Sequence, residues 1–284
     1  MIETQGLKVY FKSRDVIVKA VDGVDIKVKE REIVGLVGES GSGKTTLGRT
    51  ILNLQRPTAG KVLWNGKDVF KLKGKEEKAF RKENQIIFQN PYEAVDIRLK
   101  VYDIVAEGIR VHGITKSKDE EREMILKALK DVGLTPEEEY ANSLPNQLSG
   151  GQLQRVATVS YTHLSSAASD VYKRQTHDIS TIGYVADRIY VMYQGKIIES
   201  GPADEVLGNP LHPYTKALIS AVPIPDPSGR TTLFSLTVKE ETEPYNGKGC
   251  RYYPRCPFAM DVCRQKEPGL TGGTNDHYVA CFLY

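Results

Sequence analysis

Gly38-Glu39-Ser40-Gly41-Ser42-Gly43-Lys44-Thr45 is the stretch that decides the fold. Four residues separate Gly38 from the Gly43-Lys44-Thr45 run. Glycines at these places let backbone N–H groups curl around phosphate oxygens, and a following helix points its positive end at them. Lys44 then reaches the β- and γ-phosphates of a nucleotide, and Thr45, with Thr46 behind it, brings a hydroxyl to Mg²⁺. The bland alternative is a chance glycine-rich turn. The context argues against it: Ile33-Val34-Gly35-Leu36-Val37 reads as a buried strand entering the loop, and Leu47 to Leu54 as a helix leaving it.

Around this loop the chain alternates helix and strand signals. Leu7, Val9 and Phe11, then Val24, Ile26 and Val28, alternate in the manner of strands. Asn65-Gly66 and Gln194-Gly195 each sit between strand-like runs and read as hairpin turns. Val101, Ile104, Val105, Gly108 and Ile109 recur at helical spacing, as do Met124, Ile125, Ala128, Leu129 and Val132. The mixed charges of Lys116 to Glu123 are most simply a solvated helix start. From Pro202 onward proline and glycine become frequent, which predicts a change of architecture near residue 205.

Composition bounds the rest. The chain has 284 residues, 40% hydrophobic and 26% charged, as ordinary globular proteins do. A net charge of +3 is too small to argue for nucleic acid or an acidic membrane surface. No apolar run approaches the ~18 residues needed to cross a bilayer, and Met1-Ile2-Glu3-Thr4-Gln5 lacks the features of a signal peptide. The expectation is folding in the cytoplasm, with any membrane role supplied by a partner.

Leu148-Ser149-Gly150-Gly151-Gln152, continued by Gln154-Arg155, is the second informative element. Alone, Ser-Gly-Gly is a flexible turn. Together with the phosphate loop it resembles the signature of ABC transporter ATP-binding subunits. That resemblance implies an α/β P-loop NTPase core with an antiparallel β part and a helical subdomain, and ATP with Mg²⁺ as ligands. It also implies that two subunits face each other head to tail. Ser149, Gly150, Gly151 and Gln152 of one would close over the γ-phosphate held by Gly38, Ser40, Gly41, Gly43, Lys44, Thr45 and Thr46 of the other. Gln89, in Ile86-Ile87-Phe88-Gln89-Asn90-Pro91, falls where the family places a glutamine that contacts Mg²⁺ and the attacking water. His177, in Thr176-His177-Asp178, matches the histidine that contacts the γ-phosphate. The aromatic residue that stacks on adenine would be Tyr10 or Phe11; both are equally ordinary strand residues.

One part of the pattern is missing. Between signature and switch histidine the family carries an apolar strand, an Asp-Glu pair and a Leu-Asp turn, which hold Mg²⁺ and polarise water. Here only 24 residues separate Gln152 from His177, and residues 159–175 read VSYTHLSSAASDVYKRQ. They hold no apolar run and no Asp-Glu pair, so the Walker B aspartate and the catalytic glutamate have no counterpart. A degenerate subunit or a diverged segment would explain this. The abrupt break, with both flanks in family register, favours a spliced or mis-assembled sequence, and the segment resembles translated adapter sequence.

The four cysteines lie in the last 35 residues, as Cys250-x5-Cys256-x6-Cys263-x17-Cys281. In a reducing compartment such a cluster points to metal rather than disulfides. Four thiolates suit zinc or an iron–sulfur cluster equally well, and unligated buried thiols are the third possibility. His212-Pro213-Tyr214-Thr215-Lys216-Ala217-Leu218 and the region from Gly249-Cys250 onward resemble the C-terminal extension of the oligopeptide/dipeptide branch. There the four cysteines resemble those that carry a [4Fe–4S] cluster. The His-Pro-Tyr run itself reads as a helix start, with Pro at an early position.

The resemblance implies two domains: a nucleotide-binding domain over 1–205, with its helical part at about 91–155 and a disruption at 159–175, and a Cys-rich extension over 206–284. It implies an ATPase that powers import of peptides or similar solutes from the cytoplasmic face of the membrane. The partners would be a second ATPase subunit, two transmembrane permeases and, indirectly, an extracellular or periplasmic solute-binding protein, with no nucleic acid. The tail leans toward the second, F-type ATPase of such systems. The rival readings are a soluble ABC ATPase without a transport role and a nucleotide-binding subunit that does not hydrolyse.

Overall fold

The computed structural model describes residues 1–13, 16–87, 90–162, 179–221, 245, 247–272 and 275–284. Two compact units emerge, one formed by Met1–Lys71 with Thr176–Tyr284 and the other by Leu72–Gln175. The first begins with antiparallel strands β1 (Ile2–Ser13) and β2 (Val16–Val24), and β3 (Lys27–Val28) also pairs with β1. The alternation seen in the sequence is a burial pattern: Leu7, Val9, Val21 and Val24 are buried, while Phe11 and the Val16-Ile17-Val18 run are exposed. Thr4, also buried, donates to the Val24 carbonyl and accepts from the Ile26 N–H, each at 2.9 Å, so its hydroxyl costs nothing inside.

β4 (Val34–Val37) runs into the glycine loop and α1 (Lys44–Ile51) leaves it. β5 (Ala59–Trp64) pairs with β1, and β6 (Lys67–Asp68) turns back on β5. Asn65 and Gly66 have φ of 49° and 80°, so the Asn-Gly pair makes the left-handed turn that a two-residue hairpin requires.

The second unit is helical: α2 (Lys75–Glu83), α3 (Val101–His112), α4 (Lys118–Asp131), α5 (Glu137–Asn142) and α6 (Gly150–Thr162). Ile104, Val105 and Ile109 of α3, Ile125 and Leu129 of α4, and Leu153 and Val156 of α6 form its core. Ser117 caps α4 by accepting the Glu120 N–H at 3.1 Å. The start of α4 is not wholly solvated, which corrects the sequence expectation. Glu121 is 8% exposed and takes three bonds of 2.7–3.2 Å from the Arg110 guanidinium and one of 3.1 Å from the Tyr102 hydroxyl. A carboxylate is tolerated there because the guanidinium fork replaces its water.

The chain then returns to the first unit with α7 (Ile179–Val185), β7 (Arg188–Tyr193) and β8 (Lys196–Pro202). β7 lies parallel to β4, and β8 turns back on β7 through Gln194 and Gly195 at φ 41° and 86°, the expected hairpin. After α8 (Ala203–Gly208), α9 (Pro213–Ser220) and α10 (Asp261–Gln265), the short strands β9 (Thr271–Gly272) and β10 (Tyr278–Val279) extend the sheet to the order β4-β7-β8-β10-β9. The tail is therefore stitched into the sheet that carries the glycine loop. A fully buried carboxylate secures it: Glu199 of β8 accepts the N–H groups of Leu211 and His212 at 2.8 Å each and meets His277 Nε2 at 2.7 Å.

The Arg110 bonds hold the Glu121 carboxyl below its ordinary range. Its contribution is thus complete above the unfolded value of about 4.3 and is lost as pH falls through the lower folded value. Glu121→Gln is expected to cost about 1–3 kcal/mol at neutral pH. In urea titrations the gap between wild type and variant should close as the buffer is acidified below pH ~4.

Candidate nucleotide site

Space and backbone sign together dictate the glycines of the loop. Gly38 has φ of 150°, and a Cβ there would sit 2.1 Å from the Met192 carbonyl oxygen. Gly43 has φ of 105°, and its Cβ would sit 2.0 Å from the Ala20 carbonyl oxygen. The loop is thus wedged between β2 and the end of β7. The β7–β8 turn braces it: the Gly195 N–H donates to Ser42 O at 2.8 Å, and the Asp22 N–H donates to Gly195 O at 2.9 Å.

Lys44 opens α1, whose first turn carries no acidic side chain, so the positive end of the helix is not neutralised from within. Its ammonium curls back to donate to Gly38 O at 2.7 Å, Glu39 O at 2.8 Å and Ser42 Oγ at 3.3 Å. Partial burial pulls its pKa down, and the Glu39 charge works against that shift. Three neutral oxygens thus hold a desolvated cation, a poor substitute for an anion. Ser40 and Thr45 are exposed and Thr46 is half-buried.

Residue 39 draws on the C-terminal region. Its N–H donates to the Tyr214 hydroxyl at 2.7 Å, and its carboxylate receives both Arg255 amino groups at 2.9 and 3.2 Å. Tyr214 packs with Tyr193 and Tyr252, at ring centroid separations of 4.7 and 5.5 Å. His212 caps α9 by accepting the Tyr214 N–H at 3.0 Å, and Pro213 is the first helical residue, so the helix start expected from His-Pro-Tyr is present. Arg251 reaches the Asp22 carboxylate and the Gln194 carbonyl. Neither arginine stood out in the sequence, because nothing local marks a pairing across more than two hundred residues.

Tyr10 and Phe11, as strand neighbours, point to opposite faces. The Tyr10 hydroxyl donates to Asp22, which with burial raises the phenol to about 12, whereas the Phe11 ring is 41% exposed.

The signature lies in the helical unit. Ser149 and Gln152 cap α6 reciprocally: the Gln152 N–H donates to Ser149 Oγ at 3.3 Å and the Ser149 N–H to Gln152 Oε1 at 2.8 Å. The Gln152 amide also donates to the Tyr140 hydroxyl at 2.9 Å. Gly150 and Gly151 are exposed, and a Cβ on either would meet no atom within 4 Å. Nothing inside the unit requires glycine there, although each costs about 1 kcal/mol relative to alanine in a helix. Gln89 and His177 lie outside the described residues, as does most of 159–175.

Cys250, Cys256, Cys263 and Cys281 are reduced and line one small cavity with His212, Tyr252, Tyr253 and Phe282 among its walls. Burial and the neighbouring thiols push Cys250 up to about 12, and burial also raises Cys281. Among the described residues no group of three or more His, Cys, Asp or Glu is placed to hold a metal ion. The structure thus brings the four cysteines to one cavity without assembling a metal centre.

Comparison with known proteins agrees with this geometry. A family described as ABC transporter matches residues 21–165, and one described as oligopeptide/dipeptide transporter, C-terminal region, matches 198–263. The oligopeptide transport ATP-binding proteins OppF of Salmonella typhimurium and Escherichia coli are each 36% identical, covering 99% of this chain and 95% of theirs. Both alignments run over 321 positions against a chain of 284, so these relatives hold residues without a counterpart here. A dimeric bacterial ABC transporter cassette superposes with a TM-score of 0.61 at 26% identity, over 72% of this chain and 99% of that one.

Proposed function

The chain belongs to the ABC transporter ATP-binding family, a family of ATPases, in its oligopeptide/dipeptide branch, and we propose that it is the F-type subunit that drives import of peptides or similar solutes. The observation that carries this reading is the loop 38–45 with its ammonium held by neutral oxygens at the open end of α1. An arriving triphosphate gives Lys44 anionic oxygens in place of two carbonyls and a hydroxyl. The N–H groups at the start of α1 receive the remaining phosphate charge. The Thr45 hydroxyl holds Mg²⁺, with Ser40, Gly41 and Thr46 at the rim. For adenine the exposed Phe11 ring is the better stacking surface, since the Tyr10 hydroxyl is committed to Asp22.

The two unforced glycines of the signature support action in trans. Bare backbone at the start of α6 lets a partner's γ-phosphate approach the Gly150 and Gly151 N–H groups and Ser149. Gln89 and His177 take the family roles at Mg²⁺, water and γ-phosphate. The partner would be a second ATPase subunit, and the pair would dock on two permeases at the cytoplasmic face of the membrane, with a solute-binding protein acting through them. No helix among the described residues is long and apolar enough to cross a membrane, which fits a peripheral subunit.

Within this frame residues 206–284 form the branch-specific extension, and its four cysteines carry a [4Fe–4S] cluster. The supporting point is that the four cysteines line one cavity walled by aromatic rings. Protein purified without oxygen is expected to be brown, with about four irons per chain by metal analysis; colourless protein with one zinc would favour the other metal.

Hydrolysis by this chain is impaired, because residues 159–175 hold no Asp-Glu pair. The longer alignments of the relatives, which hold residues without a counterpart here, support a lost segment. This keeps the non-hydrolysing, ATP-binding subunit as the second reading.

Two measurements test these points. Lys44→Ala is expected to weaken MgATP binding by about 1.5–3 kcal/mol in equilibrium titration, and unchanged affinity would remove the site assignment. In the paired complex, steady-state turnover should fall roughly 10²–10⁴-fold below that of intact relatives. Inserting an apolar strand, Asp-Glu and a Leu-Asp turn between Thr158 and Thr176 should restore it.

A further inference from the structure

Glu39 of the phosphate loop is held at its carbonyl by Lys44 and by the Ser42 N–H at 3.2 Å, at its N–H by the Tyr214 hydroxyl, and at its carboxylate by Arg255. The two carbonyl contacts come from the loop itself, and the Lys44 bond is drawn on when the ammonium turns toward a γ-phosphate. The Glu39 N–H and carboxylate are held from the C-terminal region throughout.

We propose that Arg255, with Tyr214, positions the phosphate loop for nucleotide, so that the Cys250–Cys256 segment sets the affinity of a site built elsewhere in the chain. The anchorage is firm. Tyr214 is 1% exposed and packs against Tyr193, the residue that ends β7. Tyr252 stacks edge-on against Tyr193 at 5.3 Å. Arg255 lies over the Tyr252 ring at 5.9 Å, which fixes the direction of its guanidinium. Cys250 and Cys256 flank both residues, and Tyr253 and Cys256 close turns on the Cys250 and Tyr253 carbonyls at 3.1 and 3.2 Å. A second arginine of the same segment, Arg251, grips Asp22, whose N–H holds the Gly195 carbonyl, while the Gly195 N–H holds Ser42 of the loop. Two arginines five residues from end to end thus grip the loop directly and through β2. Because the coupling is an equilibrium, nucleotide in turn stabilises the segment that holds it.

The inference rests on the loop being the nucleotide site, and the test separates the two. MgADP and MgATP affinities are measured by equilibrium titration for wild type, Lys44→Ala, Arg255→Ala, Arg255→Lys, Tyr214→Phe, Arg255→Glu and the charge-exchanged pair Glu39→Arg with Arg255→Glu, with thermal unfolding of each run alongside. Arg255→Ala is expected to weaken nucleotide binding about 5- to 20-fold, within the usual span of coupling between sites. Arg255→Lys should recover part of the loss, since it keeps the charge without the fork. The exchanged pair should bind more tightly than Arg255→Glu alone. A merely structural arginine would lower the unfolding temperature without these graded, charge-dependent changes in affinity. If Lys44→Ala loses affinity while Arg255→Ala and Tyr214→Phe bind as wild type does, the positioning role is overturned and the site stands. If Lys44→Ala also binds as wild type does, the site assignment fails with it.

Discussion

The close approach of Gly43 to the Ala20 carbonyl, and of Gly38 to the Met192 carbonyl, is the constraint from which the nucleotide unit is organised. A backbone pressed this tightly between two strands has no room for a side chain at positions 38 and 43. β4 and β7 must then run parallel to deliver the loop and its wall from the same end. The β7–β8 turn must be tight enough for Gly195 to reach both Ser42 and Asp22. The conformational freedom of Gly195 serves the same wedge, since a Cβ there would sit 2.5 Å from Lys19 O.

Polar groups buried around this wedge are paired in a consistent way. Glu199 spends its carboxylate on the entry to α9 and on His277, and Asp22 spends its own on Tyr10, Arg251 and Lys196. In each case a strand of the nucleotide unit supplies the acid and the C-terminal region supplies at least one donor. Removing a donor would leave a buried carboxylate under-satisfied, which costs more than the pair gains. This asymmetry makes the tail hard to lose without loss of the sheet beneath it.

Legibility in the sequence followed the range of the interaction. The phosphate loop, the Asn65-Gly66 and Gln194-Gly195 turns, and the helix start at His212 could be read because each is a local backbone need met by a residue type suited to it; the helix start at Ser149, read alone as a flexible turn, could not. Helices α3 and α4 were legible from periodicity. Glu121 was misread as solvated because its partner Arg110 lies on another helix, and charge alone does not reveal a buried pair. Glu39 looked like a filler position of the loop, and Arg255 like an ordinary residue beside a cysteine. Their meeting spans 216 positions and follows from the tertiary arrangement alone. Cysteine clustering pointed to a metal site; the four cysteines line one cavity, and no described group is placed to hold an ion.

The nucleotide unit is discontinuous, formed by Met1–Lys71 with Thr176–Tyr284 around a contiguous helical unit. During synthesis the first seventy residues leave the ribosome with neither β7 to pair with β4 nor Tyr214 and Arg255 to hold residue 39. The helical unit has its whole core in hand while the tail is still untranslated. The sheet closes last, and β10, a few residues from the end, is its late entrant. Until then the β4 edge and the glycine loop stand open. Long-range pairing of this kind is slow and prone to wrong partners, so the nascent chain has a vulnerable interval as long as the translation of everything between Lys71 and the cysteines.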